Sequence, residues 1–74
     1  MSRKRNAVLV AEIIAYYPGQ EPFPCARVNA EDIDGIERIA NANVADGADR
    51  VMVSVRGTEY EWTAWITYIR GATA

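Results

Sequence analysis

The chain contains no histidine. That removes the commonest general base, the usual metal ligand and the Ser-His-Asp type of nucleophilic site. It has a single cysteine, Cys25, so no disulfide forms within the chain, and a reducing cytosol is the compartment this usage fits. Arg27 lies two residues on and would favour a thiolate, but without a histidine partner Cys25 is read as structural. Glycines and prolines stand mostly alone, so there is no phosphate-cradling loop, linker or low-complexity tract. The longest nearly apolar run, Ala7 to Tyr17, is broken by Glu12 and is far short of the ~20 residues that span a bilayer. Arg3, Lys4 and Arg5 ahead of that run imitate a secretory leader. Glu12 and the lack of a small-residue cleavage site argue against one. "EDIDG" lacks the spacing and terminal glutamate of a calcium loop. No enzyme, metal or cofactor is expected from these residues.

What is present fits one small globular domain. The chain has 74 residues, half of them hydrophobic and about a quarter charged. Residues 1–74 are read as a single domain, with 1–5 as a flexible basic N-terminal arm. Net charge is −2, unevenly spread: three of the eight basic residues fall in the first five positions. From Asn6 onward ten acids face five bases, a net −5. An acidic body opposes phosphate contacts and suits a basic protein partner.

Alternation and turn chemistry predict a fold. Ala7 to Tyr17 reads as a strand, Tyr17-Pro18-Gly19-Gln20 as a type II turn, and Phe23 to Asn29 as an edge strand containing Pro24. The expected register sets Leu9, Ala11 and Ile13 opposite Val28, Ala26 and Pro24, with Ile14 facing Phe23 on the other side. Asn29 is the expected N-cap of a helix with Ile33, Ile36, Ala40 and Val44 as its apolar stripe and Ile39 alongside. Asp34 and Arg38 would pair along it, and Gly35 would mark close packing on the sheet. Arg50 to Arg56 and Tyr60 to Ile69 read as a hairpin, closed by a II′ turn at Gly57-Thr58. That register sets Val51, Val53 and Val55 opposite Ala64, Trp62 and Tyr60. The predicted class is α+β: a four-stranded antiparallel sheet, in the order strand-strand-helix-strand-strand, with one helix packed on one face.

The other sheet face would then stay open, carrying Val10, Glu12, Met52, Glu61, Thr63, Trp65 and Thr67. Trp65 is expected there either stacked by Arg50 or as the anchor of an apolar patch with Met52, Ile14 and Phe23, since tryptophan is enriched at binding hot spots. The candidate partner-binding residues are Glu31, Asp32, Asp34 and Glu37 on the helix, Glu59 and Glu61 on the hairpin, and Trp65. The bland alternative for the acids is a solvated face. The open face or an edge strand also allows self-association, so monomer and homodimer are both open.

The architecture, with a helix start like "ARVNAEDIDGIERIA" and a C-terminal hairpin like "RVMVSVRGTEYEWTAWI", resembles the small phage anti-CRISPR proteins that inhibit type I systems. The resemblance is architectural, covers nearly the whole chain, and carries over no residue one by one. It implies a non-enzymatic inhibitor in the cytoplasm of a bacterial host. Such a protein binds a type I CRISPR-Cas surveillance complex, by a basic nucleic-acid-binding subunit, and blocks target DNA recognition through its acidic surface. Arg3-Lys4-Arg5 departs from a pure DNA mimic. The alternative function is a small nucleic-acid-binding regulator that uses this basic arm and exposed aromatics. The acidic body argues against direct nucleic-acid binding, and no small-molecule substrate or membrane is implied.

Overall fold

A computed structural model describes residues 9–73. The basic arm at 1–5 lies outside the described residues. The elements run β1 (Val10–Tyr16), β2 (Phe23–Asn29), α1 (Ile33–Ala45), β3 (Arg50–Val55), β4 (Thr58–Glu61) and α2 (Trp62–Thr73). The four strands form one antiparallel sheet in the order β2-β1-β3-β4. The α+β class and the four-stranded antiparallel sheet are therefore as the sequence predicts.

β1 and β3 form the centre of the sheet, and strict alternation turns one side of each to the core. Ala11, Ile13 and Ala15, with Val51 and Val53, are fully buried, and Val55 nearly so. Their side chains meet Ile36 and Ala40 of α1 and Trp65 of α2 in one core. Both helices lie on this face. Arg70 of α2 ties them together, with its guanidinium 3.0 Å from Glu37 and 3.6 Å from Asp34 of α1. Asp34 is thus engaged by Arg70, the partner the structure gives it instead of Arg38.

The fourth strand is shorter than expected. It ends at Glu61, and residues 62–69 are helical, not extended. The reason is visible in the spacing. Trp62, Trp65, Ile66 and Ile69 recur at helical intervals, and all four pack on the core. A helix there buries the stripe on a sheet that already has its strands; a strand would have left half of it facing water. Trp65 is consequently core, 5% exposed, with its ring 5.1 Å from that of Tyr60. It is not on the open face, and the expectation that it anchors a partner there is corrected. Thr63 and Thr67 leave that face with it. Arg50 stacks on Tyr16 instead, 4.5 Å from the ring centre.

The hairpin turn also moves. Arg56 and Gly57 both have positive φ, 55° and 78°, which is the type I′ combination at Arg56-Gly57 rather than II′ at Gly57-Thr58. Val53 therefore pairs with Tyr60, and Val55 with Thr58, two residues off the expected register. In the first hairpin Ala11 pairs with Val28 and Ile13 with Ala26, again two residues off. A bulge between Ile13 and Ile14 then sets Ile14 opposite Pro24 and Ala15 opposite Phe23. Phe23 thereby changes face, joining the helix side of the sheet instead of the open side.

At the start of α1 the N-cap is Asp32, not Asn29; its carboxylate accepts from the Gly35 amide at 3.0 Å. Asn29 serves one turn earlier, accepting from the Glu31 amide at 2.7 Å. Gly35 is required by this cap rather than by the sheet, because a Cβ there would collide with the Asp32 carboxylate. Val44, expected in the stripe, is 44% exposed at the other end of the helix. Asp32→Ala is expected to cost about 1 kcal/mol. In a Gly35→Ala background, where the carboxylate has already been displaced, the same change should cost a few tenths. Denaturant unfolding of the two singles and the double gives the coupling, and additive losses would contradict it.

Candidate binding surface

No element of the described residues covers the second face of the sheet. Cross-strand neighbours on it form three rows. Arg27, Glu12, Ser54 and Glu59 make the first, Pro24, Ile14, Met52 and Glu61 the second, and Tyr16 with Arg50 the third. Val10 lies at the end of the same face, 48% exposed. Glu12 sits 3.7 Å from Arg27, a loose surface pair. Glu59 and Glu61 make no ion pair among the described residues. The β4 side of this face is therefore two unneutralised carboxylates beside the half-buried apolar pair Ile14 and Met52.

The remaining sequence-predicted acids lie elsewhere. Glu31 and Asp32 are exposed at the start of α1. Asp34 and Glu37 lie on α1 and are bridged by Arg70. The helix acids and the hairpin acids thus occupy opposite sides of the sheet and do not form one surface. Asp32 is also engaged in capping, with one carboxylate oxygen accepting from the Gly35 amide. Of the candidate residues, only Glu59 and Glu61 sit together on a face with apolar side chains.

A concavity of about 400 Å³ lies on the helix side, where the β1–β2 connection meets the end of α1. It is lined by Tyr17, Gln20, Phe23 and Asp46. The Pro18-Gly19 turn is as predicted: Gly19 has φ of 72°, and the Gln20 amide donates to the Tyr17 carbonyl at 3.1 Å. The turn and the bulge place Tyr17 and Phe23 at this cleft. Sequence reading missed it because the bulge decides where Phe23 points, and no residue pattern announces a bulge.

Burial and the neighbouring Asp46 carboxylate push the Tyr17 phenol above its ordinary value. Burial likewise pushes the Cys25 thiol up, outweighing the hydrogen bonds from Ala15 and Asn43 that pull the other way. Arg27 does not activate Cys25, because its guanidinium is turned to Glu12 on the opposite face. Both groups hold their protons more tightly when folded. Any stability they contribute is complete below the unfolded values, near 8.5 for a thiol and 10 for a phenol. It is lost as pH rises through the raised folded values. Two outcomes are expected. Alkylation of Cys25 at pH 8 should run slower in the native protein than in the denatured chain. Tyr17→Phe should flatten the alkaline fall in stability and lower stability across the neutral range, where the phenol's contribution is complete. Faster native alkylation would contradict the raised thiol.

Among the described residues no group of three or more His, Cys, Asp or Glu side chains is placed to hold a metal ion, and no helix is long and apolar enough to cross a membrane. Compared with known proteins, the chain matches no family model, no curated protein and no solved structure at a significant level.

Proposed function

We propose that the protein is a non-enzymatic, stoichiometric inhibitor that binds a type I CRISPR-Cas surveillance complex of a bacterial host and blocks its recognition of target DNA. The β4 side of the open sheet face is the docking surface. The observation that carries this reading is the placement of Glu59 and Glu61, both unpaired among the described residues, beside Ile14 and Met52 on a face that no described element covers. Channels that hold nucleic acid are lined with Lys and Arg. A carboxylate pair with an apolar neighbour supplies charge to accelerate docking on such a lining and surface to bury once docked. The net −5 from Asn6 onward acts in the same direction. The architectural resemblance to small anti-CRISPR proteins supplies the choice of target.

The test is a gel-shift assay with purified type I-C and type I-F surveillance complexes and their target DNA, adding the protein before or after the DNA. Loss of the DNA-bound band only when the protein is added first is the expected result. An unchanged band in both orders refutes the proposal. A shift of free DNA without any complex would instead establish the nucleic-acid-binding regulator, with Arg3, Lys4 and Arg5 as the contacts to examine.

A further inference from the structure

The cleft at the end of α1 gathers two hydrogen-bond acceptors around the single Tyr17 hydroxyl hydrogen. The Tyr17 hydroxyl has one hydrogen and two acceptors in reach, the Asn43 side-chain oxygen at 2.9 Å and the Asp46 carboxylate at 3.1 Å. One hydrogen cannot satisfy both. One of the two Asn43 amide hydrogens goes to the Ile39 carbonyl at 2.9 Å. No basic side chain among the described residues pairs with Asp46. The last turn of α1 contains no basic residue either, so its carbonyls meet only the backbone amides of Asp46, Gly47 and Ala48 and no side-chain charge offsets the negative end of the helix dipole.

An aromatic wall completes the arrangement. Phe23 is 56% exposed at the mouth of the cleft, a large apolar ring left facing water. The bulge at Ile13/Ile14 puts it there; without the bulge its side chain would point to the other face of the sheet. The ring face, the carboxylate and the helix end all favour positive charge, and the surplus acceptors favour a ligand with several N–H donors.

We propose that this cleft binds the guanidinium group of an arginine side chain presented by a protein partner, with the plane stacked on Phe23 and its N–H groups directed at Asp46 and the Tyr17 oxygen. A guanidinium supplies the missing donors and the compensating charge together, and its flat faces suit the ring. This site is on the helix side of the sheet and stands independently of the docking surface proposed on the open face.

The test is an NMR titration of the full chain, ¹⁵N-labelled, with Nα-acetyl-arginine-N-methylamide. Nα-acetyl-citrulline-N-methylamide, nearly the same shape without the charge, is the control. Saturable shifts at the amides of Tyr17, Gln20, Phe23 and Asp46 with the arginine probe, and none with citrulline, are expected. Asp46→Asn should weaken binding by about fivefold or more, and so should Phe23→Leu. Asp46 and Phe23 are both exposed, so neither change should unfold the protein, and the dispersion of the spectrum checks this directly. No saturable shift, equal shifts with citrulline, or undiminished binding in Asp46→Asn would overturn the assignment. The assay contains no surveillance complex, so its outcome is separate from that of the inhibition test.

Discussion

Trp65→Ala is expected to remove about 3–5 kcal/mol of stability, as truncating a buried aromatic does. For a chain of this size that is a large share of a total of roughly 4–11 kcal/mol. The side chain is 5% exposed and sits between the sheet and α2, against Tyr60. Its loss would also uncouple α2, whose other core contacts are the half-buried Trp62, Ile66 and Ile69. The indole N–H is buried and finds no hydrogen-bond partner among the described residues. Such an orphan costs about 1–3 kcal/mol. Trp65→Phe should therefore lose much less than the alanine change, because the unsatisfied donor leaves with the extra ring. Urea or thermal unfolding followed by circular dichroism measures both. An unfolding midpoint unmoved by Trp65→Ala would mean that the tryptophan is at the surface after all.

Glu59→Lys combined with Glu61→Lys is expected to abolish inhibition of the surveillance complex while changing stability by less than about 0.5 kcal/mol. The two glutamates face Ser54 and Met52 and pair with no base among the described residues, so reversing them breaks no internal ion pair. What changes is the sign of the charge offered to a basic partner, and like charges brought together cost several kcal/mol. The comparison is Glu31→Lys with Asp34→Lys on the opposite side of the sheet. Asp34 sits in a surface pair with Arg70 of small value, so this double change should leave the fold and the inhibition intact. Loss of inhibition only in the helix pair would move the docking surface to α1. Full inhibition in both would exclude an acidic surface altogether. Unfolding curves run alongside guard against a fold effect.

The two kinds of error in the sequence reading have different causes. Residues 62–69 carry aromatic and β-branched side chains that fit a strand by composition, and Tyr60, Trp62 and Ala64 do alternate. The same stretch also spaces Trp62, Trp65, Ile66 and Ile69 for a helix. Both periods were legible, and burial chose between them. The cleft at Tyr17 and Phe23 left no such signal, because it depends on where a bulge falls and on which helix end arrives beside it. The acids themselves are plain in the sequence. Which of them share a surface is not, since α1 and β4 lie on opposite sides of a sheet whose strand order is not written in the chain.

By itself the sequence determined which side chains of β1 and β3 face the core, where the Pro18-Gly19 turn falls, and that one amphipathic helix joins two hairpin-like halves. These follow from local periods of two and 3.6, which a short window contains in full. Tertiary structure alone decided the registers. Sliding a strand by two residues returns every side chain to the same face, so alternation fixes the face and is blind to the slide. The type I′ turn at Arg56-Gly57 and the bulge at Ile13/Ile14 settle what alternation leaves degenerate. The apolar stripe of α2 becomes a helix because the sheet, already four strands wide, offers it a core to cover.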